Sequence, residues 1–414
     1  MNLAASRRGR NLLFAALYFS EGAPIGYIWW AIPAKLSNAD VPVDRVTALT
    51  SLLVLPWALK FLWAPLVDGW RSSRWGFRAW ITAAQIGMLV TFAPLISMPF
   101  TTVTTPLTLL LVAHALCAAT QDVAIDAFCI QTVSPSERGS VNGWMQVGML
   151  LGRAVFGGAI HWIESGIGSQ AAFYLMMISI GVSLGLLWLA REPKAPEQSI
   201  PAHSRGSRVA ALLRSAFASP ITWIGLVFAA TGGAAFEGLG AMISPILKST
   251  ALSLEAIGWF FAFPVVIATS AGAMCGGYIA DRAGHVRVVV GGTVFLCATV
   301  LVIAAVLHGT TPHSVLQFLL TVFYFAYGGT IAATYAMLMG ITDPRVSGTQ
   351  FSAFMGAQNL CESWAGRTAG ALAAHHGYSV SLVTLVGISL AALLPLGMLR
   401  KRQSTLPNGS ASKT

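Results

Sequence analysis

Gly276-Gly277-Tyr278-Ile279-Ala280-Asp281-Arg282-Ala283-Gly284 ends an apolar run with an acid, a base and a glycine, and Ala64-Pro65-Leu66-Val67-Asp68-Gly69-Trp70-Arg71 does much the same about half a chain earlier. Each stretch sets a carboxylate at the end of an apolar segment with basic residues after it. A second pair follows in the same order. Ser136-Glu137-Arg138-Gly139-Ser140 matches Pro344-Arg345-Val346-Ser347-Gly348, and the segments behind them share Gly152-Arg153 and Gly366-Arg367, each followed by small residues. Two matched pairs in one order indicate a duplicated chain.

Composition says what solvent surrounds the repeat. Of the 414 residues, 55% are hydrophobic and 10% charged, whereas a soluble domain carries about a quarter charged. Apolar runs of roughly 20 residues recur along nearly the whole length, long enough to cross ~30 Å of hydrocarbon as helix. A membrane β-barrel would show alternating segments of ~10 residues instead. The runs fall at 11–34, 46–67, 79–99, 105–131, 140–161, 168–190, 218–245, 254–279, 287–307, 313–340, 348–374 and 377–399. They predict an all-α membrane protein of about twelve transmembrane helices in two pseudo-symmetric six-helix bundles. The bundles are expected at 1–190 and 218–400, with a linker at 191–217 rich in Pro and Arg and a tail at 401–414.

The first run follows Arg7, Arg8 and Arg10, yet it is too long for a secretory signal, holds Glu21 and Pro24, and reaches Ile32 without a small-residue cleavage site. Five cysteines (Cys117, Cys129, Cys275, Cys297, Cys361) lie singly in or beside apolar runs, so neither a disulfide framework nor a metal site is expected.

The formal charge of +10 is a topology signal, with no nucleic acid implied. On the predicted spans one face collects the amino-terminal arginines, Arg71, Arg74, Arg78, Arg138, the 191–214 cluster, Arg282, Arg287, Arg345 and Arg400-Lys401-Arg402, against Lys35, Arg45 and Lys248 on the other. By the positive-inside rule both termini are cytoplasmic. The same residues have a weaker role in holding anionic lipid headgroups.

The Asp281-Arg282-x-Gly284 turn, with its looser partner Asp68 to Arg71 and Arg78, resembles the loop between helices two and three of the major facilitator superfamily. That resemblance implies a transporter in which the acid, the basic residues and a neighbouring helix end latch the two halves in the outward-facing state.

Ionisable residues inside membrane helices are costly and are functional candidates by default. Glu21 sits near the middle of the first run, Lys60 in the second, Asp122 and Asp126 in the fourth, Arg153 in the fifth, Glu237 in the seventh, and Glu362 and Arg367 in the eleventh. Asp122 and Asp126, four apart, share a helix face. Carboxylates so close oppose each other's ionisation, which suits a proton carrier. An equal reading makes them ion-pair partners of Lys60 or Arg153 that fix helix packing. Arg153 and Arg367, repeated between halves, read first as structural charges. Glu21 and Glu237 have no counterpart in the other half, which favours function. Tyr27, Trp144, Tyr327 and Trp364 are candidate aromatic contacts for a solute.

Tyr18-Phe19-Ser20-Glu21-Gly22-x-Pro24, Lys60-Phe61-x-Trp63-Ala64-Pro65-x-x-Asp68 and Gln121-Asp122-x-Ala124-x-Asp126 together resemble the muropeptide-permease (AmpG) branch, which includes ferri-siderophore inner-membrane permeases of the RhtX/FptX type. The compact length is more similar to the latter. The branch implies import across a bacterial inner membrane, driven by the proton gradient with no bound cofactor, and a small-molecule cargo. A ferric siderophore with an aromatic chelate of the pyochelin kind is the first expectation, a muropeptide the alternative, and the chain is expected to act as a monomer. No spacing of nucleophile and base or of metal ligands suggests an enzyme, and no G-x-x-x-x-G-K-[ST] segment suggests ATP drive.

Overall fold

The computed structural model describes residues 2–70, 76–168, 170–192, 205–249, 256, 259–307 and 312–397. Helix α1, Arg7–Gly26, continues through a π-turn at Tyr27–Ala31 into Ile32–Asn38, and α2, Val43–Leu59, continues through a 3₁₀ turn at Lys60–Leu62 into Ala64–Gly69. Then come α3 (Gly76–Leu95), α4 (Thr105–Thr132), α5 (Arg138–Arg153, with a π-turn at Ala154–Ala159 leading into Ile160–Ile167) and α6 (Ala171–Trp188). The second half holds α7 (Pro220–Thr231 and Ala234–Ser249), α8 (Val266–Ala283, entered by a π-turn at Phe261–Val265), α9 (His285–Val306) and α10 (His313–Ile341). The helical stretch Ser347–Ala391 turns at Gly377, whose φ of 83° is a left-handed value that glycine adopts freely, giving α11 (347–376) and α12 (378–391). These helices realise the spans anticipated from the sequence. Residues 193–204 of the expected linker and all of the expected tail lie outside the described residues, and the rest of the linker contains a further helix, Arg205–Ala218.

The helices start where the chain supplies caps. Ser6, Thr104 and Ser219 accept backbone N–H groups at the starts of α1, α4 and α7, and proline follows at the second or first helical position of α4 and α7. The irregular turns coincide with polar residues. Glu21 precedes the kink made by Pro24 and the π-turn of α1, Lys60 stands in the 3₁₀ turn of α2, and Arg153 directly precedes the π-turn of α5.

Two buried cores divide the molecule by height. One unites the first half with Ala280, Val286, Met337, Phe351 and Phe354, all from the ends of α8 to α11 that adjoin the loops carrying Asp281 and Arg345. The other contains second-half residues alone, among them Leu239, Leu296, Leu320 and Leu385, from the opposite ends. The halves are therefore packed together at one end, called the latched end below, and keep separate cores at the other.

Candidate functional site

At the latched end the quoted repeats do the same work twice. Asp281, at the end of α8, accepts hydrogen bonds from the Gly139 and Ser140 amides at 2.7 and 2.8 Å and from the Ser140 hydroxyl. Asp68, at the end of α2, accepts from the Gly348 and Thr349 amides at 2.9 and 2.7 Å and from the Thr349 hydroxyl at 2.7 Å. Each acid caps the amino terminus of the fifth helix of the opposite half, where unpaired amides and the helix dipole favour a negative charge. Gly139 and Gly277 make the approach possible. A Cβ on Gly277 would stand 2.1 Å from the Gly139 carbonyl oxygen, and one on Gly139 would stand 2.3 Å from the Gly277 oxygen.

The remaining latch residues divide. Arg282 is exposed and stacks its guanidinium over the Tyr278 ring at 3.4 Å, while Gly284 turns the chain with φ 94°. Arg71 lies outside the described residues. Arg138, which the sequence marked only as part of a repeat, is buried and donates to the Met339 carbonyl at 2.7 Å and the Ile130 carbonyl at 2.9 Å, tying the ends of α10 and α4 together. Its counterpart Arg345 is exposed and folds back on Asp343 at 2.7 Å, and those hydrogen bonds hold the Asp343 carboxyl below its ordinary range. The repeat pattern pointed at Arg138, but only burial separates it from Arg345.

Between the latch and the middle of the first half lies a buried polar cluster. Lys60 and Asp122 form an ion pair at 3% and 9% side-chain exposure, so both charges are removed from solvent. Tyr18 donates to Asp126 at 2.5 Å, leaving the second Asp126 oxygen without a partner. Glu21 is buried with one carboxylate oxygen unpartnered, within the fields of Asp122, Lys60, Asp126 and Arg153. The sequence offered Lys60 or Arg153 as partner for these acids. The structure chooses Lys60, since Arg153 instead lies 5.3 Å from the Trp29 ring centre.

Beyond this cluster opens a cavity of about 990 Å³ between the halves. Its first-half wall includes Trp29, Thr50, Trp57 and Phe61, and its second-half wall includes Glu237, Tyr324, Tyr327, Asn359, Glu362 and Ser363. Gly356, where α11 first meets the cavity, lies nine residues past Ser347, or ~13 Å along the helix from the latched end. Phe61 belongs to the cavity wall and Lys60, its neighbour, to the buried cluster, so the two features share the 3₁₀ turn of α2.

Of the expected aromatic contacts, Tyr327 stands on this wall, packed edge-on to Phe236 with centroids 5.1 Å apart. The other three are placed elsewhere. The Tyr27 hydroxyl accepts from Lys35 at 2.8 Å and its ring packs on Phe173, Trp364 donates to the Ala230 carbonyl at 2.8 Å, and Trp144 lies on α5, outside the wall. Helix α5 is withheld from the cavity because its glycines pack against backbone: a Cβ on Gly148 would meet the Ala15 oxygen at 2.1 Å, and one on Gly143 the Ala273 oxygen at 2.7 Å. Glu362 faces the cavity beside Glu237, whose charge it feels, while Arg367 is exposed and makes no ion pair among the described residues. Trp57 and Trp29 were not singled out on α2 and α1 as solute contacts, and nothing in linear order distinguishes them from interfacial tryptophans. Among the described residues no group of three or more His, Cys, Asp or Glu is placed to hold a metal.

A latched end, an internal cavity between two related halves and buried carboxylates beside it are the parts of an alternating-access carrier. Comparison with known proteins agrees. The chain is 24% identical over 409 residues to the anhydromuropeptide permease of Escherichia coli K12, covering 95% of this chain and 80% of that one. It is 27% identical over 144 residues to a putative transporter AmpG 3 of Rickettsia typhi, covering 32% and 33% of the two chains. Among solved structures the proton:xylose symporter XylE superposes with a TM-score of 0.69 at 12% identity, covering 94% of each chain, and a bacterial homologue of the iron transporter ferroportin with 0.66 at 16%, covering 98% and 100%. The family model described as Major Facilitator Superfamily matches residues 12–242 and 231–414. With nearly its whole length matched, the chain belongs to the major facilitator superfamily and is a multi-pass membrane transporter.

Proposed function

We propose that this transporter imports a sugar-peptide of the anhydromuropeptide class across the bacterial inner membrane by alternating access, driven by the proton gradient. The cavity carries this reading. Its walls combine rings for sugar faces (Trp29, Trp57, Tyr327) with hydroxyl, amide and carboxylate groups (Thr50, Asn359, Ser363, Glu237, Glu362), the mixture that a sugar linked to a peptide requires. The similarity to the Escherichia coli permease along 95% of the chain supports the same cargo class. The excess of Lys and Arg at the latched end makes that end cytoplasmic, so the cavity lies on the outer side, as an importer loading its cargo would have it.

Glu21, Asp122, Asp126 and Glu237 are the proposed coupling set, with Lys60 as the counter-charge. Protonation of Asp126 or Glu21 changes the net charge around the Lys60–Asp122 pair within a buried polar cluster that adjoins the cavity. That is where a change in charge has leverage on the packing of the halves.

The test uses purified protein in liposomes, with labelled anhydromuropeptide and labelled ferric chelates offered with and without an imposed pH gradient. Gradient-dependent uptake of the muropeptide is expected, and its loss in Asp126→Asn at equal insertion, because Tyr18 can still donate to the amide oxygen while no proton is exchanged. Absence of muropeptide uptake in the native protein overturns the reading. A second reading, a ferric siderophore with planar aromatic rings, is favoured by the rings of Phe61, Phe236, Phe323 and Tyr324 on the same walls, and chelate uptake in the same panel selects it.

A further inference from the structure

The cavity walls differ in what they offer a solute. On the second-half wall Glu237 and Glu362 stand within each other's field, and among the described residues no lysine or arginine lines the cavity. Glu362, in the middle of α11, is exposed and lines the cavity. Two aromatic rings, Tyr324 and Tyr327, flank Glu237 and are close enough to feel its charge. On the first-half wall Trp29 and Trp57 present rings, packed edge to face with centroids 6.0 Å apart, and their indole nitrogens are buried away from the cavity. A pair of acids flanked by rings is the surrounding an organic cation favours.

We infer that the cavity is an amine-recognition site: the solute's ammonium group seats between Glu237 and Glu362 under the Tyr324 and Tyr327 rings. The inference rests on the cavity being the solute site and narrows the cargo to solutes carrying a free amine. Seating the cation neutralises the two carboxylates of that wall, so an amine and its acylated form are told apart by charge as well as shape.

The test needs no natural cargo. Full-length protein in detergent is treated with a diazoacetamide, which esterifies carboxyl groups with loss of N2 and does not activate them towards amines, and modification of Glu237 and Glu362 is read by mass spectrometry in the presence of benzylamine or benzyl alcohol. Benzylamine protects both glutamates and benzyl alcohol leaves them reactive. In Glu362→Gln, protection of Glu237 requires about tenfold more benzylamine or beyond, the scale of one charge-assisted hydrogen bond. Equal protection by the two probes, or protection by neither, overturns the assignment, and the native-protein arm decides this even if the variant fails to fold. Failure here leaves muropeptide transport standing. Failure of muropeptide uptake with benzylamine protection intact removes the cargo and keeps the amine site.

Discussion

At the scale of single residues, the strongest commitment is the Lys60–Asp122 pair. Both groups are buried, so the pair persists only because each charge satisfies the other. Lys60→Met alone leaves Asp122 unpaired and is expected to destabilise the protein by about 3–5 kcal/mol, whereas Lys60→Met with Asp122→Leu restores most of that loss. Thermal unfolding in detergent, followed by aggregation-sensitive fluorescence, separates the two, and equal loss in both variants contradicts a simple pair. Transport behaves differently: if the pair anchors the coupling cluster, the double variant stays folded and does not accumulate solute.

Helix ends are the elements that decide which side is closed. Asp68 and Asp281 each bridge to a fifth helix of the opposite half, and each bridge is a charged group accepting backbone and hydroxyl hydrogen bonds. Such bonds contribute about 1.5–3 kcal/mol apiece. Asp68→Asn with Asp281→Asn is therefore expected to shift the closed-to-open ratio of the latched end by roughly tenfold to a hundredfold. Spin labels at positions 136 and 345, both exposed and on opposite halves, report the shift as a longer distance population. An unchanged distribution refutes the latch. Gly277→Ala acts on the same element by sterics, since its Cβ would lie 2.1 Å from a backbone oxygen. The sequence showed both acids and their glycines. The resemblance implied a latch between the halves, but it did not name the amides that partner each acid, because those pairings span 142 residues for Gly139 with Asp281 and 280 for Gly348 with Asp68.

For the whole molecule, alternating access requires the latched end to part. A cross-link between cysteines introduced at 136 and 345, in a chain whose exposed Cys275 is replaced by serine, is expected to abolish uptake while leaving solute binding from the cavity side intact. Uptake that survives the cross-link contradicts rocking of the halves. Among the described residues seven stretches are long and apolar enough to cross a membrane by length and composition alone, the last of them being α11 and α12 together, and α1, α2, α3 and α5 are absent from that set. Of these, α1 carries Glu21 and α5 carries Arg153, each beside a π-turn, whereas α2 is apolar but short, its apolar stretch being Ala48–Leu62. Linear order thus determined the number of crossings, the two-fold repeat, the basic face and which ionisable residues stand within the spans, because each is a local matter of composition or spacing. Only tertiary structure decided that Lys60 rather than Arg153 neutralises Asp122, that Tyr27, Trp144 and Trp364 pack away from the cavity, and that Trp57 and Glu362 face it. Which side of a helix meets the gap between two bundles depends on how the bundles are rotated against each other, and that rotation is set by glycine contacts between residues far apart in the chain.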